Sequence, residues 1–343
     1  MYDSRKMKIC LLGETYGTLD EGARNITFHL SKVLSKDHQI LPLDLRNIFS
    51  KNFWDDLKSF DPQLIHYIHG GSSKGFGLLK LISLHFPNAK TVTSIMRMNF
   101  PSKYIALLLK PDLILAQSRR TMEEFTRIGC KTVLLVCGGV DTNRFTPVTL
   151  EAKTGLRKKY GVDENRFVIL HVGPIRFGRN VKFMEKLQSE ENQVVIVGST
   201  STKADQKIVS SLRRSGCIVW VRYFDHIEEI YALSDCYVFP VIPGEDFFGR
   251  PTANCIDVPL SVLEAMSCNL PVISTRFGAL PELFKEGEGL YFADKEEDFI
   301  DALKKVKNCE GSKTREKVII YSWENVGKRI EKIYNEISKQ NGD

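Results

Sequence analysis

The sequence predicts an α/β protein built from two doubly wound domains, each with a parallel sheet. The chain has 343 residues, of which 43% are hydrophobic, and this length exceeds what one hydrophobic core usually supports. Short apolar runs alternate with helical or loop segments of roughly 10 to 20 residues, as in parallel βαβ crossovers. The pattern restarts at Phe167 after a polar connector, which indicates a second domain.

The first predicted domain begins with a strand at Lys8–Gly13 and a helix over Gly22–Ser35, which together form the first βα unit of a doubly wound sheet. Gly22, Arg24 and Asn25 lie at the start of this helix, where a sugar or phosphate can approach the backbone. The alternative is an ordinary loop. Further strands are predicted at Gln39–Leu43, Leu64–Ile68, Thr91–Ser94, Leu113–Ala116 and Val133–Val136.

Two histidines lie toward the end of the third predicted strand. His66 and His69 are followed by the small residues Gly70–Ser73, and open α/β sheets bind ligands at the carboxyl ends of their strands. His69 is therefore a candidate ligand contact. The alternative is a packed or hydrogen-bonded histidine with no role in binding.

The second predicted domain follows a connector. The run Val136–Pro147 closes the first domain with a glycine-containing turn, and a short helix is predicted at Glu151–Tyr160. The strand at Phe167–Gly173 is almost entirely apolar, as expected when helices cover both faces. Strands at Val194–Gly198, Ile218–Val221 and Ser234–Pro240 and a helix at Ile227–Leu233 follow. The predicted boundaries are 1–148, 149–320 and, for an amphipathic C-terminal helix, 321–343.

The stretch Val258–Leu283 predicts a helix over Ser261–Cys268, a turn and a buried strand at Pro271–Ser274. Glu264 then lies in the first turn. A helix N-terminus binds anions through unpaired backbone N–H groups, here those of Leu260 and Ser261. The Glu264 carboxylate can accept hydrogen bonds from sugar hydroxyls, so the pattern favours a nucleotide sugar. The alternative is that Glu264 only interacts with the helix dipole.

This stretch resembles the donor-binding motif of family-4 retaining glycosyltransferases (glycosyl transferases group 1), which have the GT-B fold. The matching elements are Glu264–Met266, Pro271–Ile273 and Gly278–Glu282. The Gly138–Pro147 loop and the helix that opens at Ser322–Trp323 are also similar to the family, so the resemblance covers Lys8 to about Ile337. It implies two Rossmann-like domains facing a central cleft, an acceptor side in the first and nucleotide-sugar binding in the second, with the last helix crossing back.

The chain departs from the family in the phosphate-binding loop. The family has Gly-Arg, four residues and Lys, whereas here Gly173 precedes Pro174 and Arg179 takes the Lys position. Arg binds phosphate bidentately and can replace Lys, and Arg176 could replace the missing Arg. Ser199 offers a hydroxyl at the end of the next strand.

A second departure concerns the family's sugar-contacting Glu, eight positions before the helix Glu. Ile256 stands there, with Asp257 beside it, and a partly similar run lies upstream at Glu245–Gly249, followed by Arg250. A carboxylate from either place could reach the sugar. Pro259 also removes one backbone N–H where the family often has a phosphate-binding Gly, and Ile95 stands where the family often has a His.

The resemblance implies a hexosyltransferase that moves a sugar, with retention, from a nucleotide-diphosphate sugar such as a UDP- or GDP-sugar to a glycan, lipid or small-molecule acceptor. Such an enzyme needs no metal or other cofactor, and in agreement the chain has no Asp-x-Asp triplet of the kind that holds a metal on a diphosphate. One alternative is a catalytically degenerate GT-B protein that binds a glycan or a partner subunit, and another is a sugar-nucleotide epimerase. The residues implied are Arg179, Glu264 and Asp257 as catalytic, Gly173, Arg176, Arg179, Ser199, Leu260, Ser261, Val262 and Glu264 as donor-binding, and Gly22, Arg24, Asn25 and His69 on the acceptor side.

Charge and composition limit the other partners. The net charge is +6, and Lys and Arg are interspersed with acids, so no nucleic-acid partner is expected. A pI near 8.8 leaves peripheral contact with an anionic membrane open. Eight cysteines without a Cys-x-x-Cys pair predict reduced thiols and no zinc site. With no long apolar run and no signal peptide, we expect a cytoplasmic protein, either free or at the inner membrane face.

Overall fold

The computed structural model describes residues 6–17, 21–69, 71–97, 103–242, 244, 253, 255–309 and 311–339. The chain forms two compact units. The first contains Met1–Gly139, Cys255–Val258 and Trp323–Asp343, and the second contains Val140–Asn254 and Pro259–Ser322. The second unit begins earlier than the predicted boundary at 149, because the Val140 N–H donates to the Tyr321 carbonyl at 3.0 Å within that unit.

The first unit is a parallel sheet with helices between its strands. Its described strands are β1 (Lys8–Gly13), β2 (Gln39–Asp44), β3 (Leu64–His69), β4 (Lys90–Ile95), β5 (Leu113–Ala116) and β6 (Thr132–Leu134). They lie in the order β2-β1-β3-β4-β5-β6. The helices are α1 (Gly22–Leu34), α2 (Lys51–Phe60), α3 (Ser73–His85), α4 (Lys103–Leu109) and α5 (Arg119–Arg127). The direction of strand addition reverses between β1 and β3, where ligands of such sheets bind.

The second unit is also a parallel sheet with helices between its strands, but its strand order differs. Its described strands are β7 (Phe167–Val172), β8 (Asn192–Gly198), β9 (Ile218–Val221), β10 (Cys236–Phe239), β11 (Val272–Ser274) and β12 (Leu290–Phe292), in the order β12-β11-β10-β7-β8-β9. Its helices are α6 (Leu150–Tyr160), α7 (Lys203–Arg214), α8 (Ile227–Ala232), α9 (Leu260–Ser267), α10 (Leu280–Leu283), α11 (Glu296–Lys307) and α12 (Thr314–Val318). This is the Rossmann order, with its reversal between β7 and β10.

The cores explain why the sheets form. The central strands β1 and β7 have almost completely buried apolar side chains, including Ile9, Leu11, Ile169 and Leu170. Burial on both faces is the environment that nearly unbroken apolar strands require, and each fully buried Leu or Ile contributes about 1.5–3 kcal/mol.

Helix α6 is fixed to the second unit by a buried cation. Arg157 is 6% exposed and donates to the Asp235 carboxylate at 2.5 Å and to the Leu233 carbonyl at 3.0 Å. A buried Arg needs such partners, because an unpaired charge in the interior is costly. The predicted connector helix is therefore packed against the second unit through Arg157.

The C-terminal helix α13 (Trp323–Lys339) packs within the first unit. The Trp323 ring stacks on His29 of α1 with centroids 4.8 Å apart. One helical turn further, Gly327 lies so close to Val33 that a Cβ would be 2.3 Å from the valine side chain. The Tyr334 hydroxyl then lies 2.5 Å from His66 Nδ1 in the interior. Small and aromatic residues of one stripe thus fix α13 against α1 and β3.

The two parallel-sheet units confirm the predicted fold class. Strand positions agree with the prediction to within about two residues, which is the usual uncertainty of element ends. Strand β12 (Leu290–Phe292) is not among the predicted strands. Strand β8 begins at Asn192 instead of Val194, because Asn192 and Gln193 continue the ladder opposite Phe167 and Val168. Within the described residues, no helix combines the length and the apolar character needed to span a bilayer.

Candidate functional site

The reversal point of the second sheet forms a tight glycine loop. Gly173 follows β7 with φ of 155°, a region that favours glycine. Its carbonyl oxygen lies against Gly198 at the end of β8, where a Cβ would be only 2.0 Å away. Neither position accepts a side chain easily, so the loop after β7 passes directly over the end of β8. The Ser199 carbonyl holds the loop further by accepting from the Ile175 N–H at 2.8 Å.

Two arginines follow in this loop, with different environments. The Arg176 guanidinium is half-buried, and it makes no hydrogen bond or ion pair with any residue that the structure describes. Arg179 Nε donates to the Ala253 carbonyl at 2.8 Å. Asn180, with φ of 52°, ends the loop and donates from Nδ2 to the Pro240 carbonyl after β10 at 3.1 Å. The loop therefore presents one anchored and one unengaged cation.

Helix α9 begins one residue earlier than predicted, at Leu260. Its N-cap is Pro259, which forms no side-chain cap, so no side chain of the described residues caps the amides of Leu260 and Ser261. The Val262 N–H instead donates to the Pro259 carbonyl at 3.1 Å. The uncapped first turn keeps the partial positive charge of a helix N-terminus available to an anion.

Glu264 lies at the start of the second turn of α9, and the prediction that it lies in the first turn is wrong because the helix starts earlier. Its carboxylate is half-buried and accepts a 2.7 Å hydrogen bond from the Tyr231 hydroxyl on α8. Burial raises the pKa of Glu264, while the Tyr231 bond and the Arg144 charge lower it. Tyr231 is the one hydrogen-bond partner of this carboxylate among the described residues, and an ionised carboxylate can accept several such bonds.

Three residues near this site were not identified from the sequence. Tyr231 bonds Glu264, and Arg144 is paired with Glu228 at 2.7 Å. His171 on β7 is buried; its Nδ1 lies 2.9 Å from the Val238 carbonyl, and its Nε2 has no partner among the described residues. Burial lowers the pKa of His171 to about 4. Each of the three lies far along the chain from the residue that it contacts. The sequence therefore indicated a site position only for His171, which lies near the end of a predicted strand.

A tyrosine joins β7, β10 and α9. The Tyr237 hydroxyl lies 3.2 Å from the Val172 carbonyl and 2.8 Å from Ser261 Oγ. Ser261 is thus held at the second position of the helix by a buried ring. The predicted donor-binding residues of the loop and of α9 therefore belong to one compact edge of the second sheet.

Asp257, predicted beside the donor sugar, makes its described contacts within the first unit. Its carboxylate accepts from Ser118 Oγ at 3.0 Å and Thr121 Oγ1 at 3.3 Å, and its N–H donates to the Met96 carbonyl at 2.8 Å. Ser118 is also the N-cap of α5, so the carboxylate lies at the start of that helix. The upstream run Glu245–Arg250 lies outside the described residues.

The predicted acceptor-side residues lie at the carboxyl edge of the first sheet. Gly22 begins α1 after an uncapped N-terminus, and its Cα approaches Ile256, whose Cδ1 would be 3.0 Å from an added Cβ. Arg24 pairs with Glu14 at 3.3 Å. The Asn25 N–H donates to Glu21 at 3.0 Å as part of the first helical turn.

His69 lies at the reversal point of the first sheet. Its Nδ1 accepts a 2.9 Å hydrogen bond from the Gly71 N–H, so the proton is on Nε2, which has no partner among the described residues. Burial lowers the pKa of His69 to about 3, and the ring is therefore neutral. It can donate to an oxygen but cannot act as a cation.

No group of three or more His, Cys, Asp or Glu side chains that could hold a metal ion occurs among the described residues. The cationic and helix-terminal groups of the second unit are the features there that attract an anion.

The fold and this edge site define the class of the protein: two Rossmann-like domains of the GT-B type. Sucrose-phosphate synthase from Thermosynechococcus elongatus superposes with a TM-score of 0.76 at 14% identity, over 96% of this chain and 98% of that chain. Anabaena Alr3699/HepE, in a structure with UDP, superposes with a TM-score of 0.71 at 14% identity, over 96% and 100%. At these identities the likeness is one of fold.

Part of the second unit is similar to a known protein family. Residues 166–308 match the model described as glycosyl transferases group 1, which contains the glycine loop, Tyr231 and Glu264. N-acetyl-alpha-D-glucosaminyl L-malate synthase from Bacillus anthracis is 24% identical over 41% of this chain and 35% of its own length. Sulfoquinovosyl transferase SQD2 from Arabidopsis thaliana is 24% identical over 73% of this chain and 49% of its own length. The matched part thus spans between a third and half of these relatives.

Proposed function

We propose that the protein is a retaining hexosyltransferase that moves a sugar from a nucleotide-diphosphate sugar to an acceptor hydroxyl. The observation that carries the proposal is the edge of the second unit, where the uncapped first turn of α9 and the Gly173 loop lie in the part of the chain that matches glycosyl transferases group 1. Backbone N–H groups and arginines attract a diphosphate, and the Glu264 carboxylate one turn further accepts sugar hydroxyls.

The roles of the side chains follow from their chemistry. Arg176 and Arg179 neutralise the charge that develops on the departing diphosphate, in place of a metal ion. Glu264 holds the sugar through its acceptor oxygens, and Tyr231 and the Arg144 charge favour its ionised form. With a retained configuration, the departing phosphate takes the acceptor proton on the same face, so Ile95 is compatible with transfer.

UDP-sugars are the first donors to test, because a structure of the GT-B neighbour HepE was obtained with UDP. A panel of UDP- and GDP-sugars is screened by thermal stabilisation, where a ligand at about 100 times its Kd adds roughly 2.7 kcal/mol. Stabilising donors are then incubated with candidate glycan, lipid and small-molecule acceptors in excess EDTA. NMR of the anomeric centre should show retention. An inverted product would overturn the mechanism, and loss of turnover that Mg²⁺ restores would overturn the metal-free step.

A second candidate function is a GT-B protein that binds a glycan or a partner subunit without catalysis. Pro174 removes one cation from the family register, Ile256 cannot accept a hydrogen bond, and Asp257 is engaged by Ser118 and Thr121. Stabilisation by a nucleotide sugar without transfer or hydrolysis across the acceptor panel would favour this candidate. Turnover of any pair would exclude it.

A further inference from the structure

A buried carboxylate joins the carboxyl ends of β1 and β2 in the first unit. Asp44, the last residue of β2, is 4% exposed. Its Oδ1 accepts from the Arg46 N–H at 2.9 Å and from Arg46 Nε at 3.0 Å. Its Oδ2 accepts from Arg46 Nη2 at 2.7 Å and from the Thr15 N–H, just after β1, at 3.0 Å. Asp44 therefore fixes both the loop after β1 and the Arg46 side chain, which is still 58% exposed.

An exposed aromatic ring lies beside this guanidinium. Tyr16 is 60% exposed, and the centre of its ring is 5.8 Å from Arg46 Cζ. Arg46 Nη2 also donates to the Tyr16 carbonyl at 3.4 Å, and Asn47 Nδ2 donates to the Tyr16 hydroxyl oxygen at 3.4 Å. Two residues earlier in the chain, Glu14 Oε2 pairs with Arg24 Nη2 at 3.3 Å. We call Glu14, Tyr16, Arg24, Arg46 and Asn47 the Tyr16 cluster.

The cluster extends toward His69, the predicted acceptor contact on β3. The His69 ring stacks on that of Tyr67, with centroids 4.2 Å apart. Burial, and then the charges of Asp44 and Glu14, raise the pKa of Tyr67 to about 12, so both carboxylates lie within electrostatic range of the Tyr67 hydroxyl. Strands β2, β1 and β3 are neighbours in the sheet. The Tyr16 cluster therefore lies at the carboxyl edge of the first sheet, where such sheets bind ligands.

The hydrogen-bonding groups that the cluster leaves unused are of both kinds. Among the described residues, no group accepts from Arg46 Nη1 or from the Tyr16 hydroxyl. Within the same described part of the chain, no group donates to Asn47 Oδ1 or to Glu14 Oε1. Each sugar hydroxyl both donates and accepts, so this mixture of donors and acceptors matches adjacent hydroxyls of one sugar ring.

The charges of the cluster are balanced, and its aromatic ring offers an apolar face. Glu14 is paired with Arg24, and Arg46 with Asp44, so neither guanidinium attracts an anion as an isolated cation would. The electron-rich face of an aromatic ring attracts the weakly positive C–H hydrogens of a sugar ring. An uncharged polyol with one apolar face therefore fits these groups better than a phosphate, a carboxylate or an acyl chain does.

We propose that the Tyr16 cluster binds a sugar ring of the acceptor, which makes the acceptor an uncharged glycan or glycoside. The Tyr16 ring packs against the C–H face of that sugar, Arg46 Nη1 donates to one hydroxyl, and Asn47 Oδ1 accepts from another. Asp44 holds the guanidinium in place before the ligand arrives, so little side-chain freedom is lost on binding. The proposal rests on the proposed sugar transfer, whose acceptor class it names.

The first test is saturation-transfer difference NMR of the full chain with a panel of neutral methyl glycosides and disaccharides. At least one of them should receive saturation on its ring protons, in the presence of UDP to fill the diphosphate loop. Tyr16→Ala should weaken this binding about tenfold, whereas Tyr16→Phe, which keeps the ring, should weaken it about threefold or less. A wild type that binds no member of the panel overturns the proposal.

The matched control is Phe49→Ala. This variant also removes an exposed aromatic ring, 95% exposed and two residues after Asn47 in the chain, but one without a contact to the cluster among the described residues. It should bind glycosides as the wild type does, and melting temperatures verify that all variants are folded. Equal losses in Tyr16→Ala and Phe49→Ala overturn the proposal.

Glucose 6-phosphate distinguishes an anionic ligand from a neutral one. Because the cluster has balanced charges, the phosphate group should add no affinity over methyl glucoside when UDP is present. Binding of glucose 6-phosphate that is at least about tenfold tighter, that salt weakens and that Tyr16→Ala removes would assign the cluster to an anion. That result overturns the proposal.

Kinetics separate this inference from the transfer itself. With a donor that is turned over, Tyr16→Ala should raise the KM of a glycoside acceptor about tenfold and leave the KM of the donor unchanged. Transfer to a lipid acceptor alone, with the same acceptor KM in both proteins, would support the transfer and overturn the sugar acceptor. Glycoside binding that depends on Tyr16, without transfer to any acceptor, would support the cluster as a glycan site and overturn the transfer.

Discussion

Glu264→Gln separates donor binding from stability at one carboxylate. The substitution keeps an oxygen that can accept from Tyr231, so the packing at 2.7 Å is preserved. Hydrogen bonds to a charged group contribute about 1.5–3 kcal/mol, against about 0.5–1.5 kcal/mol for neutral pairs. If two sugar hydroxyls lose this difference, affinity for the nucleotide sugar decreases by about 2–3 kcal/mol, a factor of roughly 30 to 150. Isothermal titration with the best donor of the panel measures this loss.

The same variant should be more stable than the wild type at neutral pH. Burial raises the pKa of Glu264 in the folded state, so the wild type is most stable below the ordinary pKa of Glu. It loses stability as the pH rises through the folded pKa, by about 1.4 kcal/mol for each unit by which the folded pKa exceeds that of the unfolded chain. Glutamine carries no charge and avoids this loss. Urea unfolding should therefore favour the variant at pH 7 and show no difference near pH 4.

Two results would refute this reasoning. Unchanged donor affinity in Glu264→Gln would mean that the carboxylate does not contact the sugar. A variant that is less stable than the wild type at pH 7 would mean that the hydrogen bonds of the charged form outweigh its burial. The variant Tyr231→Phe complements this test, because it removes the buried hydroxyl but keeps the carboxylate. Since the Tyr231 hydrogen bond lowers the pKa of Glu264, donor binding in this variant should be lost at a higher pH than in the wild type.

Three further predictions concern the loop, its glycines and the buried histidines. Arg176→Ala should weaken binding of UDP far more than binding of uridine in a titration. It should change the free energy of unfolding by less than about 0.5 kcal/mol, since the guanidinium has no partner among the described residues. Equal losses for both ligands would contradict this. Gly198→Ala should lower the free energy of unfolding in urea by about 1–3 kcal/mol, because a Cβ there would lie 2.0 Å from the Gly173 carbonyl oxygen. Gly155→Ala, with open space in α6, should raise it by about 0.5–1 kcal/mol. Similar effects of both variants would refute the close approach. Burial lowers the pKa values of three histidines, so stability should decrease as the pH falls below 6.5, by about 1.4 kcal/mol per pH unit for each histidine; a flat profile from pH 7 to 5 would contradict it. These histidines are His66, His69 and His171.

Most of the fold could be predicted from the sequence because its strands are buried on both faces. Nearly unbroken apolar runs such as Phe167–Val172 are typical of parallel strands that helices cover on both faces. Element ends were harder, because polar residues can continue a ladder when their side chains find partners. Asn192 begins β8 with its Nδ2 bonded to the Leu187 carbonyl at 3.0 Å and a neighbour, Gln193, bonded to Gly216 at 3.2 Å. Neither bond can be read from local composition.

The site was predictable where it depends on one continuous stretch. The helix after Pro259 and its Glu264 follow from local pattern and from the family resemblance. Tyr231 and Arg144 act on Glu264 from 33 and 120 positions earlier in the chain, so only their contacts in the folded chain identify them. Assignment of Cys255–Val258 to the first unit is also non-local, because these residues follow directly on the second unit in sequence.

The two departures from the family motif therefore have different consequences for the proposed site. Pro174 removes a cation, but Arg176 lies two residues further in the same loop with no partner among the described residues, so the charge opposite a diphosphate is preserved. Ile256 removes an acceptor, and the adjacent Asp257 accepts from Ser118 and Thr121 at the start of α5, so its carboxylate is held by groups of the first unit. Because the proposal assigns the diphosphate and the sugar to different groups, it predicts that the second departure alters which sugar is accepted more than it alters affinity for the nucleotide.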